Sequence, residues 1–283
     1  MDKYQEILSK FDLNLDEVAI NKNVGAIVEK SAVNHTAEVL KFLYSCIDLT
    51  SLGTEDSEES IFKFVESVNN FDSAKVGIKN VAGICVYPNF VATVKDTLRT
   101  PVRIVAVAGG FPAAQTFMEI KIAEVSLALA DGADEIDIVL NCGQFLAEDY
   151  EVVCDEIGEI RDVCGDAVLK VILETGLLKT SVNIKRAAIL AMYSGADFIK
   201  TSTGKVYPGA TPEAVYVMCE AIKEYHKWHN KKIGIKIAGG VRSAKEAIDF
   251  YTIVKEVLGE EWLTPDYFRI GASSLAGAIK DDK

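Results

Sequence analysis

Eight short runs rich in Val and Ile recur along the chain, each separated from the next by enough residues for one helix. They are "KFLYSCIDL", "VAGICVYP", "VRIVAVAG", "ADEIDIVLN", "AVLKVILETG", "ADFIKTS", "KIGIKIAGG" and "YFRIGASS". Runs this short and this continuously apolar read as strands buried on both faces, the habit of a parallel sheet. Between them lie helical patterns such as "SEESIFKFVESVNN", "FVATVKDTLR", "AQTFMEIKIAEVSLALADG", "DYEVVCDEIGEIRDVCG" and "SAKEAIDFYTIVKEVLG". Glycines at 132, 165, 195 and 259 close several of them, the usual left-handed stop. Thr211-Pro212 is a capping residue with proline at the first helical position. Eight strands each followed by a helix predict an α/β chain folded as a (β/α)8 TIM barrel. A doubly wound open sheet is the alternative, but no Gly-x-Gly-x-x-Gly follows the first run.

Residues 1–36 stand outside this alternation. "YQEILSKF" and "NVGAIVEKSAV" read as short helices joined by a polar link. The expected organisation is therefore an N-terminal helical extension, 1–36, and a barrel catalytic domain, 37–283. The extension is expected to cap the bottom of the barrel, with a subunit contact as the other reading. A length of 283 residues accommodates the roughly 250 that such a barrel needs.

Charge and cysteine usage exclude several function classes. The formal net charge of −12 argues against nucleic acid and against an anionic membrane surface. The start "MDKYQEILSK" has no secretory pattern, and no apolar run approaches the roughly 18 residues of a spanning helix. The six cysteines form no C-x-x-C pair and read as reduced thiols, so the expected location is the cytoplasm. His226 and His229 could share a helical face, but no third ligand lies nearby; a solvated helix end is the preferred reading, and no metal is expected.

Lysine is the unexpected residue in these apolar runs. Alternation along a strand puts Phe198 with Lys200 on one face, Lys170 with Ile172 and Glu174, Gly234 with Lys236 and Ala238, and Glu135 with Asp137 and Val139. Lys170, Lys200, Lys236 and Asp137 can therefore all face the axis of a barrel on four adjacent strands. The other reading is that the lysines face outward and snorkel between helices. Facing inward, they make chemical sense. An isolated lysine has a pKa near 10.4 and is no nucleophile at neutral pH. Burial and a neighbouring ammonium both lower that value, and the free amine attacks a carbonyl to form a Schiff base. Asp137 can move protons to and from such an adduct.

The loops that follow point to an anion. "STGK" comes after Lys200, "AGGVR" after Lys236, and "GASS" at the end of the eighth run. Gly-rich turns with hydroxyls form anion cradles, and the loops after strands seven and eight are the usual phosphate site of this fold.

These residues resemble the deoxyribose-phosphate aldolase family over roughly residues 37 to 280. The most specific parts are "KVILETG", "ADFIKTSTGK", "GIKIAGGVR" and "RIGASS", and "GFPAAQTFMEIKIAEVSLALADGADEIDIV" is similar to the family's third-to-fourth strand segment. The resemblance implies a class I aldolase without metal or other cofactor. Such an enzyme reversibly cleaves 2-deoxy-D-ribose 5-phosphate to acetaldehyde and D-glyceraldehyde 3-phosphate, so its partners are a small phosphorylated sugar and aldehydes. It also implies roles. Lys200 matches the Schiff-base lysine, Lys236 the lysine that tunes it, and Asp137 the acid/base carboxylate. Asp48 and Thr50 match polar residues facing the sugar hydroxyls, and Lys170 a further buried lysine. Lys205, Gly204, Gly239, Gly240, Ser273 and Ser274 match the phosphate end. Cys85 matches a thiol at the pocket wall, with a core cysteine as the other reading. The tail "AIKDDK" lacks the tyrosine that some members use in proton transfer.

Two rival functions stay open on the residues alone: a Schiff-base barrel aldolase with another donor, and a non-catalytic sugar-phosphate-binding barrel. The second would have no need of Lys200 and Asp137 together. A homodimer is also left open.

Overall fold

All eight strands pair in parallel and in chain order to close one barrel: β1 (Ile47–Thr50), β2 (Gly83–Val86), β3 (Arg103–Ala108), β4 (Glu135–Val139), β5 (Val168–Ile172), β6 (Phe198–Lys200), β7 (Gly234–Ala238) and β8 (Phe268–Ala272). The coordinates are a computed structural model that describes residues 3–71 and 77–282, so the outermost residues of the two expected spans, 1–2 and 283, lie outside it. Helices follow the strands and form the outer ring, which is the (β/α)8 TIM barrel that the alternation predicts.

The period of two along each strand divides the buried residues between two cores. Ile47, Ile84, Ile104, Ile136, Val171, Ile235 and Ile270 point outward and join the helices in one large apolar cluster. The inward positions are different in kind. Asp48, Glu135, Asp137, Lys170, Lys200, Lys236 and Arg269 are all at most 3% exposed. Inside the barrel the apolar contacts shrink to small groups, one of them Leu52, Cys85, Val105 and Val107.

Local chemistry fixes the helix ends. Gly132, Gly165, Gly195 and Gly259 all take positive φ, as helix stops do. Thr211 caps the helix Pro212–His229, its hydroxyl accepting from the Ala214 N–H. Among the described residues, no helix is long and apolar enough to cross a membrane.

Two expectations need correction. The first run, "KFLYSCIDL", is a strand only in its second half: Ala37–Ser45 is a helix, and β1 begins at Ile47. Leu40, Leu43 and Tyr44 sit at helical spacing on its buried face, and Thr36 caps it by accepting from the Val39 N–H. A short apolar run supports either element, and here the cap and the spacing decided it.

The second correction concerns the N-terminal helices, Lys3–Leu8 and Glu17–Val28. They do not lie beneath the barrel. The Glu17 carboxylate accepts from the N–H and the hydroxyl of Ser181, and Lys185 donates to the Asp12 carbonyl at 2.7 Å. Asn23 reaches the Tyr216 hydroxyl and Asn34 the Thr252 hydroxyl. Those partners belong to Ser181–Tyr193, Pro212–His229 and Ala244–Leu258, three helices of the outer ring. The N-terminal segment is strapped along the flank of the barrel, with Phe11, Ile20 and Val24 buried against it.

Candidate active site

A charged ladder fills the middle of the barrel because strand register brings ionisable side chains to the same level. Asp137 on β4 pairs in register with Lys170 on β5, and Lys200 on β6 with Lys236 on β7. Both latter amines reach the same atom, Asp137 Oδ2, at 2.8 Å each. Lys170 takes Asp137 Oδ1 at 2.9 Å and Glu135 Oε2 at 2.5 Å. Lys236 also contacts Asp48 Oδ2 at 2.6 Å. Below these, Arg269 binds Asp48 Oδ1 at 2.6 Å and Glu135 Oε1 at 2.9 Å. Arg103 then carries the chain of ion pairs from Glu135 to Asp266 at the rim.

Missing side chains make room for this ladder. Gly234 on β7 faces Phe198, and a Cβ there would collide with the ring, 2.3 Å from its Cε1. The ring is in turn flanked by Lys170 Nζ and Arg269 Cζ, each 5.9 Å from its centre. Gly271 does the same for Lys236, whose Cε would lie 3.1 Å from an added Cβ.

The ladder separates Lys200 and Lys236 electrostatically. Burial pushes the Lys200 amine below the usual lysine value; Asp137 opposes that, and the Lys236 charge adds to it. For Lys236 burial acts in the same direction, but Asp137 and Asp48 overcome it and hold its ammonium above the ordinary range. Asp137 is the counterpart: burial would raise it, yet Lys170, Lys200 and Lys236 together keep it ionised well below the usual carboxylate range. The lysine with the depressed pKa is thus the one at the top of the ladder, beneath open space.

That space is a cleft of about 460 Å³ at the C-terminal ends of the strands, and Lys200 lies at its floor. Its walls come from four loops. Thr50 ends β1, and Ser51, Leu52 and Gly53 follow it; Thr203, Gly204 and Lys205 follow β6; Gly239, Gly240, Val241 and Arg242 follow β7; Ser273 and Ser274 follow β8. Gly204, Gly239 and Gly240 adopt φ of 74°, 89° and 87°, which turns their N–H groups in ways side-chain-bearing residues resist. The loops after β6 and β7 touch backbone to backbone. Ala210 N–H donates to the Gly239 carbonyl at 3.1 Å, and a Cβ on Gly209 would collide with that carbonyl. Lys205 crosses the mouth, donating to the Leu52 carbonyl, with its amine 5.8 Å from the centre of the Tyr87 ring.

The residues singled out from sequence fall into two groups. Lys200, Thr50, Gly204, Lys205, Gly239, Gly240, Ser273 and Ser274 line the cleft. Asp137, Lys236, Asp48 and Lys170 form the ladder under it. Cys85 is in neither group: it is fully buried among Val105, Val107 and Leu52, and burial pushes its thiol pKa up. Asp48 is likewise fully buried, between Lys236 and Arg269.

Sequence reasoning missed Glu135, Arg269, Glu174 and Arg242. Glu135 lies on the face already assigned to Asp137, and Arg269 alternates between outward Phe268 and Ile270, so the period-two pattern contained both. Glu174 follows β5 in a left-handed conformation, φ 56°, and receives the Thr203 hydroxyl at 2.5 Å. It therefore braces the β6 loop, which no local pattern announces.

Comparison with known proteins agrees with this geometry. Residues 42–273 match the family described as DeoC/LacD family aldolase. The human protein named deoxyribose-phosphate aldolase is 41% identical over 249 residues, covering 83% of this chain and 77% of that one. The mouse protein of the same name is 40% identical over 245 residues, with the same coverage of each. Among solved structures, an aldolase called QR15 aligns with a TM-score of 0.69 at 32% identity, covering 84% of this chain and 95% of that chain. Deoxyribose phosphate aldolase from Aeropyrum pernix, described as tetrameric, shares the fold with a TM-score of 0.68 at 24% identity, covering 90% and 96%. A barrel with a lysine-carboxylate ladder under a four-loop cleft, matched over most of its length, belongs to the DeoC/LacD family of aldolases.

Proposed function

We propose that this aldolase reversibly cleaves 2-deoxy-D-ribose 5-phosphate to acetaldehyde and D-glyceraldehyde 3-phosphate through a Schiff base on Lys200. The observation that carries the reading is the position of Lys200: a depressed-pKa amine at the floor of the cleft, sharing one carboxylate oxygen with a second lysine.

The chemistry follows from that arrangement. The neutral Lys200 amine adds to the C1 carbonyl of the open-chain sugar, and loss of water leaves an iminium. The C3 hydroxyl gives up its proton, the C2–C3 bond breaks, and its electron pair flows into the iminium to form an enamine. Glyceraldehyde 3-phosphate departs. A proton added at C2 restores an iminium, and water releases acetaldehyde and the free lysine. Asp137, ionised and in contact with Lys200, is the group placed to take and return these protons, directly or through water. Lys236 stays charged and holds Asp137 in place. The N–H groups and hydroxyls of the loops after β6, β7 and β8 receive the phosphate, with Lys205 and Arg242 as rim cations. The six buried free thiols support a reducing compartment, and the cytoplasm is the proposed location.

Borohydride reduction in the presence of acetaldehyde is expected to fix an ethyl group on Lys200, located by peptide mass spectrometry. Labelling confined to Lys236 or Lys170 would overturn the assignment. Cleavage is expected to survive a chelator, because the iminium supplies the electron sink that a metal otherwise provides; loss of activity that zinc restores would refute this. Replacing Ser273 by Glu is expected to raise KM for the phosphorylated sugar at least about tenfold more than for free deoxyribose, since a carboxylate there repels phosphate. Equal losses on the two substrates would put the phosphate elsewhere.

A further inference from the structure

The charges sealed inside the barrel do not cancel. Three carboxylates, Asp48, Glu135 and Asp137, face three lysines and one arginine, all at most 3% exposed. The outer pair Arg103 and Asp266 balance each other at the half-open rim. Glu174, at the top of β5, is turned away to the N–H and hydroxyl of Thr203. With every group in its usual ionic form the ladder holds one positive charge too many, in surroundings where an uncompensated charge is costly.

We propose that Arg269, which touches neither Lys200 nor the cleft, is a positioning residue that makes Lys200 give up its proton by occupying both Asp48 and Glu135. The inference rests on the reading of Lys200 as the reacting amine. Arginine keeps its charge at every working pH, so the surplus must be shed by a lysine. Arg269 sits on β8 beside Lys236, and its guanidinium takes Asp48 Oδ1 and both oxygens of Glu135. Asp48 is left with one oxygen for Lys236, and Glu135 with a shared one for Lys170. Both lysines therefore also turn to Asp137, which ends up divided among three amines. Lys170 and Lys236 each touch two carboxylates, whereas among the described residues the only carboxylate on Lys200 is Asp137. Lys200 is the least compensated of the three, and it alone borders the cleft.

The groups that face Lys200 are Asp137 on β4, Lys236 on β7 and Cys85 on β2, with Lys170 on β5 acting through Asp137. Those that face Arg269 are Asp48 on β1, Glu135 on β4, Lys236 on β7 and the Phe198 ring on β6, with the Cys46 thiol nearby. Removing Arg269 would free Asp48 for Lys236 and leave Glu135 to Lys170 and to Arg103 on β3, whose own charge Asp266 balances. Asp137 would then pair with Lys200 alone, and the amine would keep its proton.

The test is single-turnover imine formation with acetaldehyde across pH 6 to 10. Arg269→Gln is expected to move the midpoint of the profile upward and slow imine formation at pH 7 by about tenfold or more, because free amine falls about tenfold for each pKa unit gained. Arg269→Lys, which keeps a charge, is expected to stay near the parent midpoint. Glu135→Gln removes a carboxylate and is expected to move the midpoint downward. The double variant, Arg269→Gln with Glu135→Gln, restores the charge count and is expected to return toward the parent. Shifts of one sign in both single variants, or no shift in either, would overturn the proposal, because loss of packing alone slows the reaction without moving the midpoint in opposite directions. If Arg269→Gln does not fold, an unshifted Glu135→Gln profile overturns it. Borohydride trapping on the parent protein keeps the two readings apart: absence of label on Lys200 sinks the nucleophile assignment, whereas label with unmoved midpoints sinks only the role of Arg269.

Discussion

Lys200→Leu is expected to abolish imine formation at every pH, and Lys236→Leu to slow it at pH 7 by about tenfold with recovery at higher pH. The two lysines hang on one oxygen, Asp137 Oδ2, but their surroundings push them in opposite directions, Lys200 toward the free amine and Lys236 toward the ammonium. Without Lys200 no amine remains at the floor of the cleft; Lys205 lies at its mouth, against the Leu52 carbonyl. Without Lys236 two things change in the same direction. The repulsion that helps to discharge Lys200 disappears, and Asp137 Oδ2 is left to Lys200 alone, which favours the ammonium. Burial, the largest influence on Lys200, remains. The Lys236→Leu profile should therefore shift to higher pH without collapsing. An unshifted profile would show that burial by itself sets the amine, and substantial imine formation by Lys200→Leu would show that another lysine reacts.

Asp137→Asn is expected to form the imine, stall afterwards, and destabilise the protein by about 3–5 kcal/mol at neutral pH, the usual cost of stranding buried charge. The carboxylate contacts three lysines; without it Lys170 keeps only Glu135, Lys236 only Asp48, and Lys200 loses its carboxylate partner. Lys200 should lose its proton even more readily, so addition to acetaldehyde survives. The later steps fail because the carboxylate that moves protons is gone. The stability loss should also depend on pH. In the variant the stranded lysines have folded pKa values below their unfolded values, so the unfolded chain binds more protons and stability rises with pH. Urea midpoints at pH 6, 7.5 and 9 should climb relative to the parent. A loss under about 1 kcal/mol, or a difference that does not change with pH, would mean that water or an ion reaches the lysines and the ladder is not sealed.

Strand alternation put Lys170, Lys200, Lys236 and Asp137 on definite faces of their strands, and the chemistry of three lysines with a carboxylate on neighbouring strands favoured the inward one. Neighbouring strands could be related in this way, but contacts across the barrel could not. Arg269 binds Glu135 across the barrel, from β8 to β4, strands that never pair, so no register between neighbours reveals the contact. Glu135 was visible on the right face and still passed over for the same reason. The strap fails to show for a related cause: Glu17 meets Ser181 from 164 residues away, and only the packed helices bring them together. The first strand was drawn too long because the mainly apolar run continues from Leu43 and Tyr44 at the end of the helix into Ile47 at the start of the strand. Glu174 depends on a left-handed turn that composition does not mark.

The backbone contact between Gly209 and Gly239 has a practical meaning for anyone who wants to redesign the cleft. The loops after β6 and β7 behave as one interchangeable part, because the second rests on the first where no side chain fits. Grafting a foreign loop after β6 alone would set a new chain against the old Gly239 carbonyl and displace the neighbouring turn. A library that varies the two loops separately would consist mostly of mismatched halves. Exchanging 201–211 together with 239–243 as a single cassette preserves the join, and it is at this join that one aldolase of the family could lend its substrate preference to another.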